Sequence, residues 1–589
     1  MANTFQGWPT IIVGGATVAA GELALLESLV VDDHLHLPDT CTIVMRDPNR
    51  DVLDKMHVRI GAALLVNVVS TGRGQSSGEE LFVGEITGIE ASYDATGQRV
   101  MVRAYDQSHR MHRGRWTQAY LDTTDSKIAT AVAQRCGLAV GEVQATQKQL
   151  KHVSQVNLTD WEFVKARARD IGFEVGVSDG KFFFRKPKVN QGAPAPGDLD
   201  SALALQLAFG ADLLEFRPRI SASAQVKEVT ARGWDYKAKA TLVGKPDAAQ
   251  RDAAPKIAVK ATDVAAAFYS APMVLSSRLP ETQAEADDVA TGMAREITSA
   301  LAEADGVARG NPKVRAGTAV SISAVAAPFV GTWTVTGSRH VFDPTSYRTM
   351  FMVSGRQERS LLGLASVGAT SGVPSAGGPP IFGVVVGIVS NIKDPEGLHR
   401  VRLTFPWLSD DFETYWARMA MIGAGCDRGM VWLPEVGDEV LVAFEQGDVR
   451  HPYVIGALFN GKDLPAGGKG KDLYDASGRS VLKGMKSRSG HRLVLRDGWQ
   501  GQEGVWIGTG DLKHKFVLSQ NESKIKLLSD GSVEIIAKGN ITVEATNISM
   551  KAAGDLTLAA QKSLSIQGLD VKIAGTTTVD VDGGMITLN

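Results

Sequence analysis

Few residues in this chain are spaced for chemistry. Asp32-Asp33-His34-Leu35-His36 places two histidines on one strand face, the spacing of a metal pair. It offers no third or fourth ligand, and it reads as a polar strand start before the turn at Pro38-Asp39. His109 and His112 could share one face of a helical turn. With Arg110, Arg113 and Arg115 beside them, they read as a solvated basic edge or a subunit contact. Gly72-Arg73-Gly74-Gln75-Ser76-Ser77-Gly78 has the glycines of a phosphate loop but not its GK[ST] ending. A strand rather than a helix N-terminus follows, so a flexible loop is expected. Gly467-Gly468-Lys469-Gly470-Lys471 reads likewise as a linker. Asp394 and Glu396 could form a carboxylate pair for glycoside hydrolysis, yet they flank a proline in a hairpin turn, where such residues serve the backbone. No GxSxG elbow or HExxH helix is present. The reading expects no catalytic, cofactor or metal site.

Composition narrows the classes of protein that fit. The chain has 589 residues and a net charge of −2, too little positive charge for bulk nucleic-acid binding. Cys41, Cys136 and Cys426 are too few and too scattered for a disulfide framework or a cysteine zinc site. No apolar run approaches the roughly 20 residues of a membrane span, and the first residues lack the pattern of a secretory signal. Synthesis and assembly in the bacterial cytoplasm are therefore expected. With 62 glycines and 6 % aromatic residues, the profile leans to a β-rich, turn-rich protein.

The elements follow from local pattern. Residues 1–115 read mainly as strands, and Leu81–Tyr105 alternates apolar and polar positions around a hairpin turn at Tyr93–Gly97. Helices are expected from Thr124-Asp125-Ser126 to Gly137, and from the Thr159…Glu162 capping box to Gly172. An aromatic hairpin turns at Asp179-Gly180, strands resume over Leu213–Arg232, and a longer helix is expected from Glu281 to Glu303 with Gly306 just beyond. Two motifs recur in the same order. Phe82-Val83-Gly84 is echoed by Phe329-Val330-Gly331, and Asp94-x-Thr96-x-x-Arg99-x-Met101 by Asp343-x-Thr345-x-x-Arg348-x-Met350. This suggests duplicated β-barrels, at about 1–115 and 213–360, around a helical insert at about 120–190. A Gly/Ser/Pro linker at 364–380 closes this 1–363 domain. Short strands over 381–462 (FGVVVGIVSNI, HRVRLTF, GMVWLP, DEVLVAFE) fit a small barrel of OB type. Residues 463–524 carry transition strands, at SGHRLVL (489–495) and LKHKFVL (512–518).

From Ile525 onward, aliphatic pairs two residues apart recur about every eight residues. They are Ile525/Leu527, Val533/Ile535, Ile541/Val543, Ile548/Met550, Leu556/Leu558, Leu564/Ile566, Val571/Ile573, Val579/Val581 and Ile586/Leu588. A single-chain β-helix needs three strands per coil, about 20 residues or more, whereas eight residues cover one face of a prism. One chain would leave its other faces unpaired. Three identical chains, each supplying one face per layer, close it most simply. The expected core of this 525–589 needle comprises Val533, Ile535, Ile541, Val543, Ile548, Met550, Leu556, Leu558, Leu564, Ile566, Val579 and Val581.

The residues 382–465, above all Pro434–Val440 and Asp448-x-Arg450-x-Pro452-Tyr453-Val454-Ile455-Gly456, resemble the OB domain of VgrG spike proteins and phage baseplate assembly protein V. VRAYDQSHRMHRGRW (102–116) and NLTDWEFVKARARDIGFEV (157–175) resemble the late-control-D hub of contractile phages, and residues 487–508 with the period-eight tail resemble the spike's β-helix. The resemblance implies a contractile-injection spike: a tube-like hub with two β-barrels per chain, an OB collar and a trimeric needle. Six barrels per trimer would adapt a threefold spike to a sixfold tube. The implied partners are two further copies of the chain, inner tube and baseplate proteins, and a separate PAAR-like tip protein docked on Met585, Ile586 and Leu588, with the target envelope touched transiently. About 60 residues between Asn460 and Ile525 leave no room for a lysozyme domain. Two other readings stand beside this one. A β-helical polysaccharide lyase or hydrolase would need coils of about 20 residues, and a trimeric glycan-binding fibre adhesin would need an aromatic-rich end.

Overall fold

Alternation along the N-terminal third builds the sheet on which the rest of the first unit is assembled. The computed structural model describes residues 8–587 apart from 36, 73–74, 189–192, 195–204, 224, 247–255, 268–271, 276–279, 356–379 and 466–472. The linker expected at 364–380 thus lies, except for Pro380, outside the described residues, as do Gly467–Lys471. The chain is mainly β, 43 % strand and 12 % helix, and it divides into Met1–Asp463 and Leu464–Asn589.

The first unit opens with β1 (Pro9–Val13), β2 (Ala16–Thr17), β3 (Leu26–His34), β4 (Thr40–Arg46), β5 (Ala63–Gly72), β6 (Gln75–Asp94) and β7 (Gly97–Tyr105). Alternate residues of β1, β3, β4, β7 and of the stretches 63–68 and 82–86 are buried around Leu29, Ile43, Val66 and Val102, while β2 is exposed. The expected flexible loop at 72–78 is largely ladder. Backbone pairing of β5 with β6 runs on from Val69↔Gly78 to Gly72↔Gln75, carrying the core register outward.

The insert follows as β8 (Trp116–Thr123), α1 (Asp125–Arg135), β9 (Ala139–Val143), β10 (Leu150–Leu158), α2 (Asp160–Asp170), β11 (Glu174–Ser178) and β12 (Lys181–Arg185). Both helices begin where their caps place them. The Lys127 amide donates to Thr124 Oγ1 at 3.4 Å. At α2 the box is reciprocal, Glu162 N to Thr159 Oγ1 at 3.1 Å and Thr159 N to Glu162 Oε2 at 2.9 Å. Gly137 and Gly172 then adopt φ of +67° and +68°, the left-handed stop. Five strands accompany the two helices, and Ile128, Val132, Phe163 and Val164 pack on Phe182 and Phe184.

Next come β13 (Gln206–Ala208), β14 (Leu213–Ile220), β15 (Glu228–Asp235), β16 (Ala240–Gly244), β17 (Lys256–Ile257), β18 (Pro272–Leu275), α3 (Gln283–Ser299), β19 (Ala302–Arg309), β20 (Ala319–Ser323), β21 (Gly331–Thr334), β22 (Gly337–Asp343) and β23 (Ser346–Val353). One eleven-stranded sheet runs β14-β19-β23-β22-β3-β4-β7-β6-β5-β1-β2. The pairing of β22 with β3 joins the two halves, and each half has its own core, the second around Trp333, Val320 and Phe351. The expected helix to Glu303 stops at Ser299 instead. Ala302–Arg309 finds a hydrogen-bonding neighbour on each side, β14 and β23. Gly306 lies mid-strand beneath the Phe351 ring, where a Cβ would come within 2.3 Å. It is a packing glycine and not a helix stop.

The repeated turns are the same device. Asp94 Oδ1 accepts from Thr96 N at 2.7 Å and Asp343 Oδ1 from Thr345 N at 2.8 Å, with registers Asp94↔Gly97 and Asp343↔Ser346. The Phe-Val-Gly halves differ: Gly84 lies within β6 whereas Gly331 opens β21 in a separate four-stranded sheet.

The OB module contains β24 (Val384–Asn391), β25 (Arg402–Thr404), β26 (Arg418–Met419), β27 (Ala424–Gly425), β28 (Arg428–Gly429), β29 (Glu439–Phe444) and β30 (Pro452–Ala457). Its sheet runs β25-β24-β29-β30-β26, and bridges Val401↔Ala417 and Thr404↔Glu413 return it to β25 around Phe405, Phe412 and Val442. GMVWLP, expected as a strand, is not one. Only Gly429 at its start pairs, with Ala424 of β27; Met430–Pro434 joins no ladder, and Val431 and Trp432 are exposed.

The second unit opens with an antiparallel meander, β31 (Leu482–Lys486), β32 (Arg492–Trp499), β33 (Gln502–Gly508), β34 (His514–Ser519) and β35 (Lys524–Ser529). Beyond β35, none of the described residues up to Ile586 and Thr587 joins a ladder.

Candidate functional site

The surfaces with no partner in this chain are concentrated in the second unit. Cross-strand register aligns Met485, Leu493, Ile507, Phe516 and Leu527 in one row over five strands, and Leu495, Val505, Leu518 and Ile525 in a second row beside it. Both rows point to the same face because their members alternate by two along each strand. All but the half-buried Val505 are exposed. The i, i+2 aliphatic pairs therefore start about thirty residues upstream of Ile525, at Leu493/Leu495. Sequence reading missed this because the turns between these strands vary in length and hide the period.

Downstream, Val533, Ile535, Ile541, Val543, Ile548, Met550, Leu556, Leu558, Leu564, Ile566, Val579 and Val581 lie outside any ladder and are 50–73 % exposed. Apolar residues outside that register, Ile536, Leu569 and Met585, stand further into solvent at 86 %, 104 % and 88 %. The single chain does not bring the twelve together. Met585 and Ile586 are exposed, and Leu588 lies outside the described residues. A stripe of this size left in water on one chain is an assembly surface or an aggregation hazard.

A polar joint between the hub and the OB module was not foreseen. Arg400 is 1 % exposed, donates to both oxygens of Asp394 (2.9 and 2.7 Å) and reaches Tyr236, the residue just after β15, at 2.8 Å. The guanidinium holds the Asp394 carboxyl far below the usual carboxylate range. Lys237 pairs with Glu396 at 2.5 Å. Asp394 and Glu396 are thus engaged as anchors, with neither poised as a glycosidase acid. Two histidines flank the joint. His152 Nε2 meets Glu413 O at 3.1 Å, its pKa pulled down by burial, and His451 Nδ1 meets Glu281 at 3.2 Å. The signal for Arg400 lies 164 positions from its tyrosine, beyond any local pattern.

The remaining candidates are structural. Asp33 accepts from Arg315 Nε at 3.2 Å and from Ala316 N at 3.0 Å, while His36 lies outside the described residues. His109 contacts Glu85 at 3.0 Å, Arg110 pairs with the same carboxylate, and His112 stacks on Trp161 at 5.0 Å. Asp33, Asp39 and Asp106 gather beneath Arg315. Burial pushes the Asp106 carboxyl up to about 6 and the Asp39 carboxyl well above its ordinary value, where the neighbouring carboxylates raise it further. Among the described residues, no group of three or more His, Cys, Asp or Glu is placed to hold a metal ion.

Comparison with known proteins agrees with this architecture. Residues 385–459 match the type VI secretion system/phage-baseplate injector OB domain, and residues 66–343, just under half of the chain, match the Alg8 N-terminal domain. A stretch of 119 residues is 34 % identical to the type VI secretion system spike protein VgrG2a of Pseudomonas aeruginosa, covering 20 % of this chain and 13 % of that protein. VgrG2b of the same organism matches at 34 % over 119 residues, 11 % of its length. The matched part is thus a small fraction of these relatives. Among solved structures, a Francisella PdpA–VgrG complex aligns with 90 % of this chain and 81 % of its own, at a TM-score of 0.53 and 9 % identity, which speaks to fold alone. The fold is shared with a chain of that complex, and the central domain is of the type VI secretion system/phage-baseplate injector OB class. Within that class the chain is VgrG-like, with a baseplate-type OB domain at its centre.

Proposed function

We propose that this chain forms the homotrimeric spike at the tip of a contractile injection tube. The observation that carries the reading is the unpartnered apolar face of the second unit, continued by the aliphatic pairs to Ile586. Three copies would turn these faces inward, each chain supplying one wall, and pair their free backbone groups between chains from residue 530 onward. Burying each Leu, Ile or Val this way contributes about 1.5–3 kcal/mol, repeated along a needle that has no edge from which to fray. Sheath contraction would drive this needle into the target envelope. The two halves of the hub, held on one sheet, would meet the inner tube and baseplate, adapting a threefold spike to a sixfold tube.

In this reading the protein is no enzyme. Its partners are two further copies, tube and baseplate proteins, and a PAAR-like tip protein on Met585 and Ile586. Assembly takes place in the producer's cytoplasm, and the spike acts in an injection particle. The deciding experiment is the native mass of the purified chain. A species at three times 62.7 kDa that survives mild detergent is expected. A stable monomer would overturn the reading.

A further inference from the structure

The face of the meander opposite the apolar rows carries a different chemistry. Val494, Trp506 and Val517 are aligned across β32, β33 and β34. Arg492 and Arg496 flank Val494 on the same strand, and each faces a glycine on β33, Gly508 and Gly504 respectively. With no side chain opposite, both guanidiniums fold over the Trp506 indole, at 5.3 and 4.4 Å from its centre, and Arg496 also covers Trp499 at 5.0 Å. Gly504-Val505-Trp506-Ile507-Gly508 is therefore a cradle: a Cβ at Gly508 would come within 3.4 Å of the indole nitrogen.

Two cations converging on one ring would ordinarily be offset by a carboxylate. Neither arginine has a carboxylate partner among the described residues. Arg492 Nε donates to Gly490 O at 3.0 Å, and Arg496 donates one amino group to Gln502. Arg496 Nε and Trp499 Nε1 are buried with no hydrogen-bond partner. Desolvation, and next the repulsion of Arg492, pull the Arg496 pKa below its ordinary value. Such a group gains from any anion that reaches it, and a planar guanidinium stacked on an indole presents its N–H edge ready for a bidentate carboxylate.

We propose that this Arg-Trp face docks an acidic segment of a protein partner carried on the flank of the spike. The inference rests on the trimer reading, in which the apolar rows face inward and the Arg-Trp face outward, once per chain. A polypeptide fits better than a bilayer surface. Arg492, Arg496, Trp499 and Trp506 are only half exposed and Val494 beneath them is buried, so a flat array of headgroups could not reach the orphaned donors, whereas a chain bearing Asp or Glu could.

The test uses the full-length protein and a fluorescein-labelled poly-glutamate peptide, with vesicles of phosphatidylglycerol in parallel. The peptide should bind at one per chain, perturb tryptophan emission and be released by salt. Arg492→Gln with Arg496→Gln should weaken it roughly tenfold or more, and the Arg→Lys pair, which keeps charge but loses the planar fork, should fall between. Peptide affinity unchanged in the Gln pair, or vesicles binding through these arginines while the peptide does not, would overturn the proposal. Native mass measured on each sample keeps the two readings apart. A trimer that ignores the peptide refutes the docking face alone, and a monomer refutes the trimer on which it rests. Should the Gln pair fail to assemble, the Lys pair supplies the comparison.

Discussion

The two units of this chain handle the same apolar side chains in opposite ways. The first hides them in several separate cores, including those around Leu29, Phe163, Phe405 and Trp333, each enclosed by strands and helices of the one chain. In the second, Val481 and Val494 are the only buried hydrophobics among the described residues, while more than a dozen Leu, Ile and Val side chains are exposed at regular spacing. The difference lies in what each sequence can close alone. Strands of the hub and OB module are long enough, and varied enough in direction, to fold over one another. Units of about eight residues cover one wall and cannot turn back on themselves. One polypeptide therefore carries a part whose stability is intramolecular and a part whose stability is a property of concentration.

The largest effect should come from charging the needle. Ile541→Asp or Leu556→Asp places three carboxylates in one layer, at a cost no neighbour offsets. The native mass should fall from three chains to one, while the circular dichroism of the first unit is retained. An intact detergent-resistant trimer would break the comparison by removing the stripe from the core. A smaller effect is expected at the meander. Phe516→Glu interrupts one row of five, so the trimer should persist but dissociate at a lower temperature than the unsubstituted protein, as followed by native mass on heating.

The comparison is sharpened from the other side at Arg400. Arg400→Met leaves Asp394 buried without its counter-ion and should destabilise the first unit by about 3–5 kcal/mol, read as a lower denaturant midpoint. Assembly through the second unit should survive. If the trimer dissociates in parallel, the two units are not energetically separate.

What was legible in the sequence divides along the same line. Caps are local, so Thr124, Thr159 and Glu162 announced both helices of the insert, and the eight-residue period announced a stripe. The Glu281 helix overran because AEADGVAR is as good a helix as a strand by composition, and only its neighbours β14 and β23 decide. GMVWLP failed for the converse reason, apolar residues with no strand beside them. The Arg400 joint and the Asp33–Arg315 contact are made between residues more than 160 positions apart, which no spacing rule reaches. The paired rows of the meander were in the sequence but concealed by unequal turns until cross-strand register aligned them.

A subtler prediction concerns pH. Burial, and then the nearby Asp33 carboxylate, push the Asp106 carboxyl up to about 6 in the folded hub against an ordinary 3.8. Between about pH 4 and 6 the folded hub keeps a proton that the unfolded chain has released. Stability should therefore fall as pH rises through that window, and the deficit should persist above it. Asp39, whose pKa is raised in the same sense, adds to the slope. Arg315 opposes it by favouring the charged carboxylates. Asp106→Asn should flatten the denaturant midpoint against pH by about 1–3 kcal/mol over the window, with no change in native mass. A slope unaltered by the substitution would place the proton elsewhere.

The smallest effect compares the two halves of the hub itself. Asp343 accepts from Thr345 N and Oγ1 and from Ser346 N and Oγ, all at 2.7–2.8 Å, and these bonds hold its carboxyl down to about 2. Asp94 makes the same contacts to Thr96, but Gly97 stands where Ser346 does, and the second hydroxyl Asp94 accepts from, Ser92 Oγ, is at a longer 3.4 Å. Asp343→Ala should therefore cost about 0.5–1 kcal/mol, and Asp94→Ala should cost less. The Asp343 contribution is present above the ordinary carboxylate range and is lost as pH falls towards 2. Equal losses in the two variants would mean that the shared Asp-x-Thr bonds carry the turn. A larger loss at Asp343 would assign the surplus to Ser346, the position at which the two repeats have diverged.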